Sequence, residues 1–295
     1  MKVYFINLDR SPERRGWFEA QAARLGLDAV RIEAVDARQL PDIEIERLRG
    51  LSSGRNSLSP GEIGCFLSHR KIWQAVLDGA DEWAFAAEDD LHLAQDAARF
   101  INDGGWIPLG ADLVKAETNL QQTIELSWRV AGHPFDRELR RLRSFHYGSG
   151  GYFISRGAAV HLLSFSENRC EPLDVILFSP VLGSLRQLHV LQLSPAICLQ
   201  DVFVAADPDA SELASLIEKE RFGFRKSDPG KAKGRAKVWR ETRRVARQLA
   251  YPVRRFWLWV TGQAIFRIVP VRLSVPDNRW TVQPHMQVPI NTEVR

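Results

Sequence analysis

The first 34 residues contain the pattern that most limits the fold of this chain. Residues 2–8 form an apolar, β-rich run, and a helix is predicted after it because Ser11 suits an N-cap and Pro12 the first helical turn. Apolar residues then recur at helical spacing until Gly26, and residues 29–34 predict a second strand. A strand, a helix and a second strand in this order are typical of a parallel α/β sheet.

The following segments predict further alternation of helices and strands. Ser59 and Glu62 have the spacing of a capping box, which predicts a helix from there to Gly79. We also expect a long polar loop with a short helix over 36–58, strands near 83–87, 113–114, 152–155, 189–193 and 197–199, and helices over 91–103, 157–163 and after 172–174. Residues 124–145 give no clear pattern.

Three consecutive acids, Glu88, Asp89 and Asp90, follow the apolar strand predicted at 83–87. They repel one another unless a cation or hydrogen-bond donors offset their charge. Ligands bind at the carboxyl ends of strands in open α/β sheets, and a hard divalent ion on a diphosphate needs only one or two protein carboxylates. Glu88 and Asp90 are separated by one residue and are the expected metal ligands. The alternative for the triplet is a solvated acidic turn.

Polar residues also follow the first strand. Asn7 or Asp9 could bind a base or ribose, and Arg10, Arg14 and Arg15 could meet a diphosphate; the alternative is a helix start with surface arginines. The sequence has no Walker-type loop and no G-x-G-x-x-G after a strand, which disfavours kinases, GTPases and dehydrogenases. The segment around Ser149 lacks the nucleophile elbow of a serine hydrolase.

The predicted helix at 59–79 carries His69, which could contact substrate or simply be a buried helix residue. Cys65 lies one helical turn before it, so the two could share a metal, but core packing is the favoured interpretation because no further Cys or His is near. The chain has three cysteines without a C-x-x-C pair, which fits a reducing compartment and argues against a structural zinc site.

Together these segments resemble glycosyltransferase family 25, which contains bacterial lipooligosaccharide galactosyltransferases and the collagen galactosyltransferases. The resemblance covers residues 1–203. The segments that carry it are Phe5-Ile6-Asn7-Leu8-Asp9-Arg10 with Arg14-Arg15, Leu58-Ser59-Pro60-Gly61-Glu62-Ile63-Gly64-Cys65 with Leu67-Ser68-His69, Glu88-Asp89-Asp90, Gly151-Tyr152-Phe153-Ile154-Ser155, and Pro172-Leu173-Asp174.

The resemblance implies a GT-A-like, Rossmann-like mixed sheet flanked by helices, a UDP-sugar donor (often UDP-galactose), Mn²⁺ or Mg²⁺, and inversion at the transferred sugar. It implies that Glu88-Asp89-Asp90 is the metal and nucleotide motif, with Asp89 on the nucleotide side. The donor would also be bound by the blocks containing Asn7, Asp9, Arg10 and Arg14 and containing Ser59, Gly61 and Gly64, with His69 nearby.

An inverting transferase needs a base that takes the proton of the acceptor hydroxyl. Asp174 is the first candidate, and its alternative is a helix N-cap. Glu62 is the second candidate, and its alternative is the capping box.

The C-terminal part differs in character from the rest. Residues 219–256 carry fourteen Lys and Arg against three acids, a net charge of +11, so the remainder carries −7 of the total of +4. We expect a catalytic domain over 1–206, a linker over 207–236, and a basic extension over 237–295 with an amphipathic helix at 238–250. Its apolar run from Phe256 is too short to span a bilayer.

The basic charge and the tryptophans of residues 225–262 predict binding to an anionic membrane surface, whereas a helix packed on the catalytic domain and nucleic-acid binding are less favoured. The N-terminus does not read as a signal peptide. The expected location is therefore cytoplasmic, peripheral on the inner face of a bacterial inner membrane, with no nucleic-acid partner.

The expected function is transfer of a sugar to a hydroxyl of a glycolipid or oligosaccharide such as lipopolysaccharide core, and galactose is the first candidate for that sugar. Two alternatives stay open at this point. A nucleotide-sugar hydrolase or pyrophosphorylase could use the same acids and metal, and a non-catalytic nucleotide-sugar-binding scaffold could sit at the membrane.

Overall fold

The computed structural model describes residues 1–53, 58–204, 252 and 254–273. Its α-helices up to residue 204 are α1 (Pro12–Arg24), α2 (Asp42–Gly50), α3 (Pro60–Asp78), α4 (Ala97–Ile101), α5 (Arg156–Phe165) and α6 (Leu173–Phe178). Its strands are β1 (Val3–Asn7), β2 (Ala29–Glu33), β3 (Trp83–Glu88), β4 (Leu91–Leu93), β5 (Leu113–Lys115), β6 (Glu117–Thr118), β7 (Ile124–Gly132), β8 (Glu138–Leu142), β9 (Gly151–Ser155), β10 (Val190–Ser194), β11 (Cys198–Gln200) and β12 (Ala264–Arg267).

Nine strands form one mixed sheet in the order β12-β7-β8-β10-β5-β9-β3-β1-β2. The strands β2, β1 and β3 are parallel to one another, as the opening pattern of the sequence predicts, and β9 pairs antiparallel with both β3 and β5. A smaller sheet has the order β4-β11-β6. The predicted α/β fold, a large mixed sheet flanked by helices, is confirmed.

The central strands of the large sheet are buried on both faces, whereas β2, β7, β8 and β12 are partly exposed. Along β1, Tyr4 and Ile6 pack into one apolar cluster with α3, α5 and α6, whereas Val3 and Phe5 pack into a second cluster with α1 and α4. All five residues of β1 are buried. A strand covered on both faces reads as a continuous apolar run, which explains why residues 2–8 show no alternation.

The capping box predicted at the start of α3 is present. The side chain of Ser59 accepts a hydrogen bond from the backbone N–H of Glu62, and the Glu62 carboxylate accepts one from the Ser59 N–H at 2.9 Å. Pro60 occupies the first helical position. These contacts satisfy N–H groups that have no partner within the helix, and they fix where α3 begins.

The helix predicted over 91–103 is wrong in its first part. Residues 91–93 form β4, and only Ala97–Ile101 are helical. The side chain of Gln21 bonds to the backbone of Leu91 and Leu93 at 2.8 Å, and β4 pairs with β11, more than 100 residues later in the chain. Residues 124–142, for which the sequence pattern predicted no element, contain the antiparallel pair β7–β8.

The described part of the C-terminal extension contacts the main sheet. β12 pairs antiparallel with β7 and forms the edge of that sheet, and residues 254–260 form a helix just before it. The predicted linker at 207–236 and the predicted helix at 238–250 lie outside the described residues, and the division into domains stays a prediction. None of the helices in the described ranges has the length and apolar character needed to cross a bilayer.

Candidate active site

A cleft lies at the carboxyl ends of β1 and β3, beside the first turns of α3. Its volume is about 680 Å³, including the solvent at its mouth. It is lined by residues from three of the five segments that the sequence singled out: Asn7, Arg10, Arg14, Gly61, Gly64, Glu88, Asp89 and Asp90. Ligands bind at this edge of open α/β sheets. The fold therefore brings the three blocks together at one site.

Arg14 is bound to the acidic triplet. Its Nη2 donates to Asp89 and lies 3.2 Å from Asp90 Oδ2. Asn7 donates from Nδ2 to the other oxygen of Asp89 at 2.7 Å. Two donors from the N-terminal block thus hold Asp89, and the charge of Arg14 offsets part of the negative charge of the triplet.

Burial and mutual repulsion disfavour the ionised forms of Glu88 and Asp90, which raises the pKa values of both. Burial, followed by the neighbouring charges of Asp90, Glu117 and Asp89, raises the pKa of Glu88 well above its ordinary value. Burial also raises the pKa of Asp90 to about 6, although Arg14 opposes this shift. Carboxyl groups with raised pKa values in a cleft are typical of functional sites, because a bound cation can offset the cost of their ionisation.

Two of these carboxylates have oxygens that the protein leaves poorly satisfied. Asp90 Oδ1 is buried and has no hydrogen-bond partner among the described residues. The oxygens of Glu88 are 3.5 Å from Ser149 Oγ and 3.4 Å from Gln200 Nε2, at the outer limit of hydrogen bonding. Oxygen donors of this kind are what Mg²⁺ and Mn²⁺ bind. The donor set therefore fits a hard divalent cation at Glu88 and Asp90.

The glycines of α3 let the helix approach the strand ends closely. A Cβ on Gly64 would lie 2.6 Å from the backbone oxygen of Val35, which follows β2. Ser68, one turn later, accepts a hydrogen bond from the Val35 N–H at 2.8 Å. Gly64 is thus required for packing of α3, and Gly61 lines the cleft beside it.

His69 lies on α3 and is fully buried behind the triplet. Its Nδ1 is 2.9 Å from the hydroxyl of Tyr152, and its Nε2 is 4.0 Å from Glu88 Oε1. Burial lowers the pKa of His69 to about 3, so the ring is neutral at physiological pH. Cys65 Sγ, a His69 ring nitrogen and a Glu88 oxygen lie within 4.8 Å of one another.

Of the remaining predicted site residues, Arg10 lines the cleft, whereas Asp9, Ser59, Glu62 and Asp174 do not. Asp9 is exposed and pairs with Arg31. Ser59 and Glu62 are engaged in the capping box. Asp174 is buried in the first turn of α6. Burial raises the pKa of Glu117, and the negative charge of Asp174 adds to this shift. Arg10, at the cleft, pairs with Asp36 at 2.7 Å.

Sequence reasoning missed a buried ion pair behind the site. Lys115 and Glu117 are almost fully buried and lie 2.8 Å apart. Lys115 also donates to the carbonyls of Tyr147 and Gly148, and Glu117 accepts from the N–H of Gly150. The same loop contacts Glu88, whose N–H donates to Gly150 O at 2.8 Å. The i, i+2 spacing, which places both side chains on one face of an extended segment, was the available signal.

Comparison with known proteins identifies the family. A model of glycosyltransferase family 25, described as an LPS biosynthesis protein family, matches residues 1–177. The chain belongs to glycosyltransferase family 25. The matched region contains β1, α3, the acidic triplet and the start of α6, and therefore every residue that lines the cleft. The protein is a glycosyltransferase.

Three relatives illustrate where this family 25 chain stands. It is 30% identical over 237 residues to the lacto-N-neotetraose biosynthesis glycosyltransferase LgtB of Neisseria meningitidis, covering 77% of this chain and 85% of that protein. It is 32% identical over 174 residues to the lipooligosaccharide biosynthesis protein lex-1 of Haemophilus influenzae, and the match spans little over half of each, 56%. A glycosyltransferase 25 family member of Aedes aegypti is 32% identical over 176 residues, 55% of this chain and 27% of that protein.

Proposed function

We propose that this family 25 glycosyltransferase transfers a sugar from a UDP-sugar to a hydroxyl of a lipopolysaccharide or lipooligosaccharide acceptor. Galactose is the first candidate for the sugar, and Mn²⁺ or Mg²⁺ assists the reaction. The description of the family and the names of the LgtB and lex-1 relatives support this acceptor class. The family resemblance supports the UDP-sugar and the inversion of the transferred sugar.

One observation carries the metal-assisted part of the proposal. Glu88 and Asp90 are buried at a cleft, and one oxygen of Asp90 has no partner in the part of the chain that the structure describes. Arg14 also lies near one oxygen of Asp90, but Asp89 has both oxygens engaged, one by Arg14 and the other by Asn7. Of the three acids, Glu88 and Asp90 are thus the pair available to hold a cation against a diphosphate.

In the proposed reaction the acceptor hydroxyl oxygen attacks the anomeric carbon from the side opposite the diphosphate. The new C–O bond forms as the bond from the anomeric carbon to the phosphate oxygen breaks; UDP leaves with the electron pair, and the hydroxyl proton passes to a base. The metal ion, when bound, stabilises the negative charge of the departing diphosphate. Asn7 and Arg14 hold Asp89, and Arg10 and Gly61 line the cleft in which the UDP-sugar would bind.

Asp174 is the proposed base. Its charge contributes to the raised pKa of Glu117, and the charge of Glu117 contributes to the raised pKa values of Glu88 and Asp90, so the four buried acids interact electrostatically. Asp174→Asn is expected to lower kcat by at least about 100-fold. Glu62→Gln is the matched comparison, because Glu62 is a buried acid used in a helix cap, and it should keep most of its kcat. A full-rate Asp174→Asn enzyme would remove Asp174 from the role.

A turnover assay separates transfer from the two alternatives. Wild-type protein is incubated with UDP-galactose, Mn²⁺ and lipooligosaccharide core oligosaccharides, and UDP release is measured with and without the acceptor. A transferase releases UDP in an acceptor-dependent manner. Release that is the same without acceptor would favour a hydrolase, and metal-dependent UDP binding without any turnover would favour a scaffold. A thermal-shift panel of UDP, GDP and CMP sugars identifies the donor base.

We also propose that the C-terminal region attaches the enzyme to the cytoplasmic face of an anionic membrane. The helix of residues 254–260 exposes Phe256, Trp257, Trp259 and Val260, each with more than half of its surface in solvent. Most of the basic segment 225–262 precedes this helix. Aromatic residues beside positive charge are typical of helices that lie in a membrane interface.

Flotation with vesicles tests this attachment. Full-length protein should float with vesicles that contain an anionic lipid and should stay behind with neutral phosphatidylcholine vesicles. Trp257→Ser combined with Trp259→Ser should reduce flotation, whereas Trp128→Ser, a half-exposed tryptophan on β7, serves as the control. Equal flotation of all three proteins, or none by the wild type, would contradict the proposal.

A further inference from the structure

Only one of the two ring nitrogens of the buried His69 has a hydrogen-bond partner in the described chain, as is also the case for His146, but His69 alone of the two lies beside the acidic triplet. Nδ1 is bonded to the Tyr152 hydroxyl, while Nε2 is unpartnered and faces Glu88. Unsatisfied buried nitrogens are uncommon and costly, so they indicate a function or a missing ligand. Which nitrogen carries the proton decides what His69 can do.

The hydrogen-bond partners of the Tyr152 hydroxyl decide which nitrogen of His69 carries the proton. The indole Nε1 of Trp73 lies 2.9 Å from the Tyr152 hydroxyl, and an indole nitrogen can only donate. The hydroxyl has one hydrogen of its own, and the remaining partner the structure gives it is His69 Nδ1. If Nδ1 were protonated, the hydroxyl would receive two donors and its hydrogen would have no acceptor in a fully buried site.

The opposite arrangement gives every hydrogen around the Tyr152 hydroxyl an acceptor. Trp73 donates to the Tyr152 hydroxyl, the hydroxyl donates to Nδ1, and the ring proton of His69 then sits on Nε2, directed at the Glu88 carboxylate. The two carboxylate oxygens of Glu88 also face Ser149 Oγ and Gln200 Nε2. Three neutral donors thus surround Glu88, all slightly too far for a strong bond, and a shift of under about 1 Å brings the N–H into range.

We propose that Trp73 and Tyr152 fix the Nε2–H tautomer of His69, and that His69 is a positioning residue which orients Glu88 for the divalent metal ion. The orienting role of His69 rests on the proposed function, because it assumes the metal ion. The assignment of the tautomer does not depend on the proposed function. This role differs from both possibilities that the sequence left open for His69, which were contact with substrate and a buried helix position. Neutral donors orient the carboxylate without adding a positive charge that would compete with the cation.

The same geometry offers one competing role. Cys65, His69 and Glu88 lie close enough to form a site for a softer metal such as Zn²⁺. That role requires a free lone pair on Nε2, so the ring proton would have to move to Nδ1 and leave the Tyr152 hydroxyl hydrogen without an acceptor. The two roles therefore demand opposite tautomers.

Nitrogen NMR of the histidine side chains in the full-length, metal-free protein distinguishes them without any activity measurement. The His69 signal is assigned as the one lost in His69→Gln. We expect the Nε2–H tautomer in wild type and a mixture of tautomers in Tyr152→Phe, with Trp73→Phe as the second variant in case the first folds poorly. Tyr4→Phe is the matched control, because Tyr4 is a buried tyrosine on the same sheet face and should leave the signal unchanged. An Nδ1–H tautomer in wild type overturns the proposal.

Binding of Mn²⁺, followed by the electron paramagnetic resonance of the free ion, tests the positioning role. His69→Leu, which removes the donor, should weaken Mn²⁺ binding by roughly 10- to 100-fold, and His69→Gln, which keeps an N–H, should recover much of that loss. Tight Zn²⁺ binding that is lost in Cys65→Ser, or unchanged Mn²⁺ binding in a folded His69→Leu, overturns the proposal. If wild type binds no Mn²⁺ while the tautomer is as expected, the metal-assisted function fails and the tautomer assignment stands.

Discussion

Replacing Lys115 with Met should destabilise the protein strongly and in a pH-dependent way. The Lys115 ammonium has three N–H donors and three acceptors: Glu117 Oε1 at 2.8 Å, the Tyr147 carbonyl at 3.2 Å and the Gly148 carbonyl. It also lies 4.3 Å from the centre of the Phe178 ring. Methionine has a similar shape and fills the space, so the substitution removes mainly charge and hydrogen bonds.

The expected loss follows from the burial of both partners. Removing one member of a buried ion pair leaves an uncompensated charge, which costs about 3–5 kcal/mol of unfolding free energy. A typical domain has only about 5–15 kcal/mol in total. Lys115→Met/Glu117→Gln removes the stranded charge and keeps an acceptor for the Gly150 N–H, so the double variant should recover at least half of the loss.

The pH dependence has a definite sign. Burial raises the pKa of Glu117 in the folded protein, and the loss of Lys115 raises it further. Because the folded variant then holds this proton to higher pH than the unfolded chain, its stability falls as pH rises from about 4.3, the ordinary value, through the folded pKa. The deficit relative to wild type is therefore largest at neutral pH and shrinks on acidification.

Urea unfolding followed by circular dichroism at pH 7.5 and pH 5 measures these effects. The ion-pair account would be refuted by a loss below about 1 kcal/mol at pH 7.5, by a deficit that grows on acidification, or by a double variant no more stable than Lys115→Met. Because Lys115 and Glu117 hold the Gly148–Gly150 loop against Glu88, the single variant should also bind Mn²⁺ more weakly.

Three further stability predictions use the same urea assay. Ser59→Ala removes the side-chain half of the capping box and should cost about 1 kcal/mol; no change would mean that the cap is not formed. Gly64→Ala places a Cβ 2.6 Å from a backbone oxygen and should cost about 1–3 kcal/mol, with reduced UDP affinity because α3 is displaced at the cleft. Gly16→Ala, in an exposed position of α1 with no atom within 4 Å of the added Cβ, should instead stabilise by about 0.5–1 kcal/mol, and a loss there would contradict the helix assignment.

The elements that could be predicted from the sequence are those specified by nearby residues. The strand β1, the Pro at the start of α1 and the capping box of α3 all lie in short windows whose apolar pattern or cap chemistry decides the structure. β4 was predicted as helix because its three residues adopt a strand through β11 and Gln21, both distant in sequence. Local patterns carry no information about such partners.

The same distinction applies to the site. The acidic triplet and the Gly61–Gly64 segment could be placed at one cleft, because each is tied to an element boundary that the sequence shows. The partner of Arg14 could not be predicted, because Asp89 lies 75 residues later in the chain. A diphosphate was an equally suitable partner for this arginine. The role of Tyr152 was hidden for the same reason: its hydroxyl meets His69 and Trp73 only after β9 joins β3 in the sheet.

The central claim is that Glu88 and Asp90 hold a divalent ion that binds the diphosphate of a UDP-sugar. Calorimetric titration of UDP into the full-length protein, with and without Mn²⁺, tests it most directly. The account predicts that Mn²⁺ tightens UDP binding by at least about 10-fold in wild type and in Asp103→Asn, an exposed acid on the loop after α4, and that Asp90→Asn loses this gain. UDP binding that is indifferent to Mn²⁺ in wild type, or a Mn²⁺ gain that survives in Asp90→Asn, would contradict it.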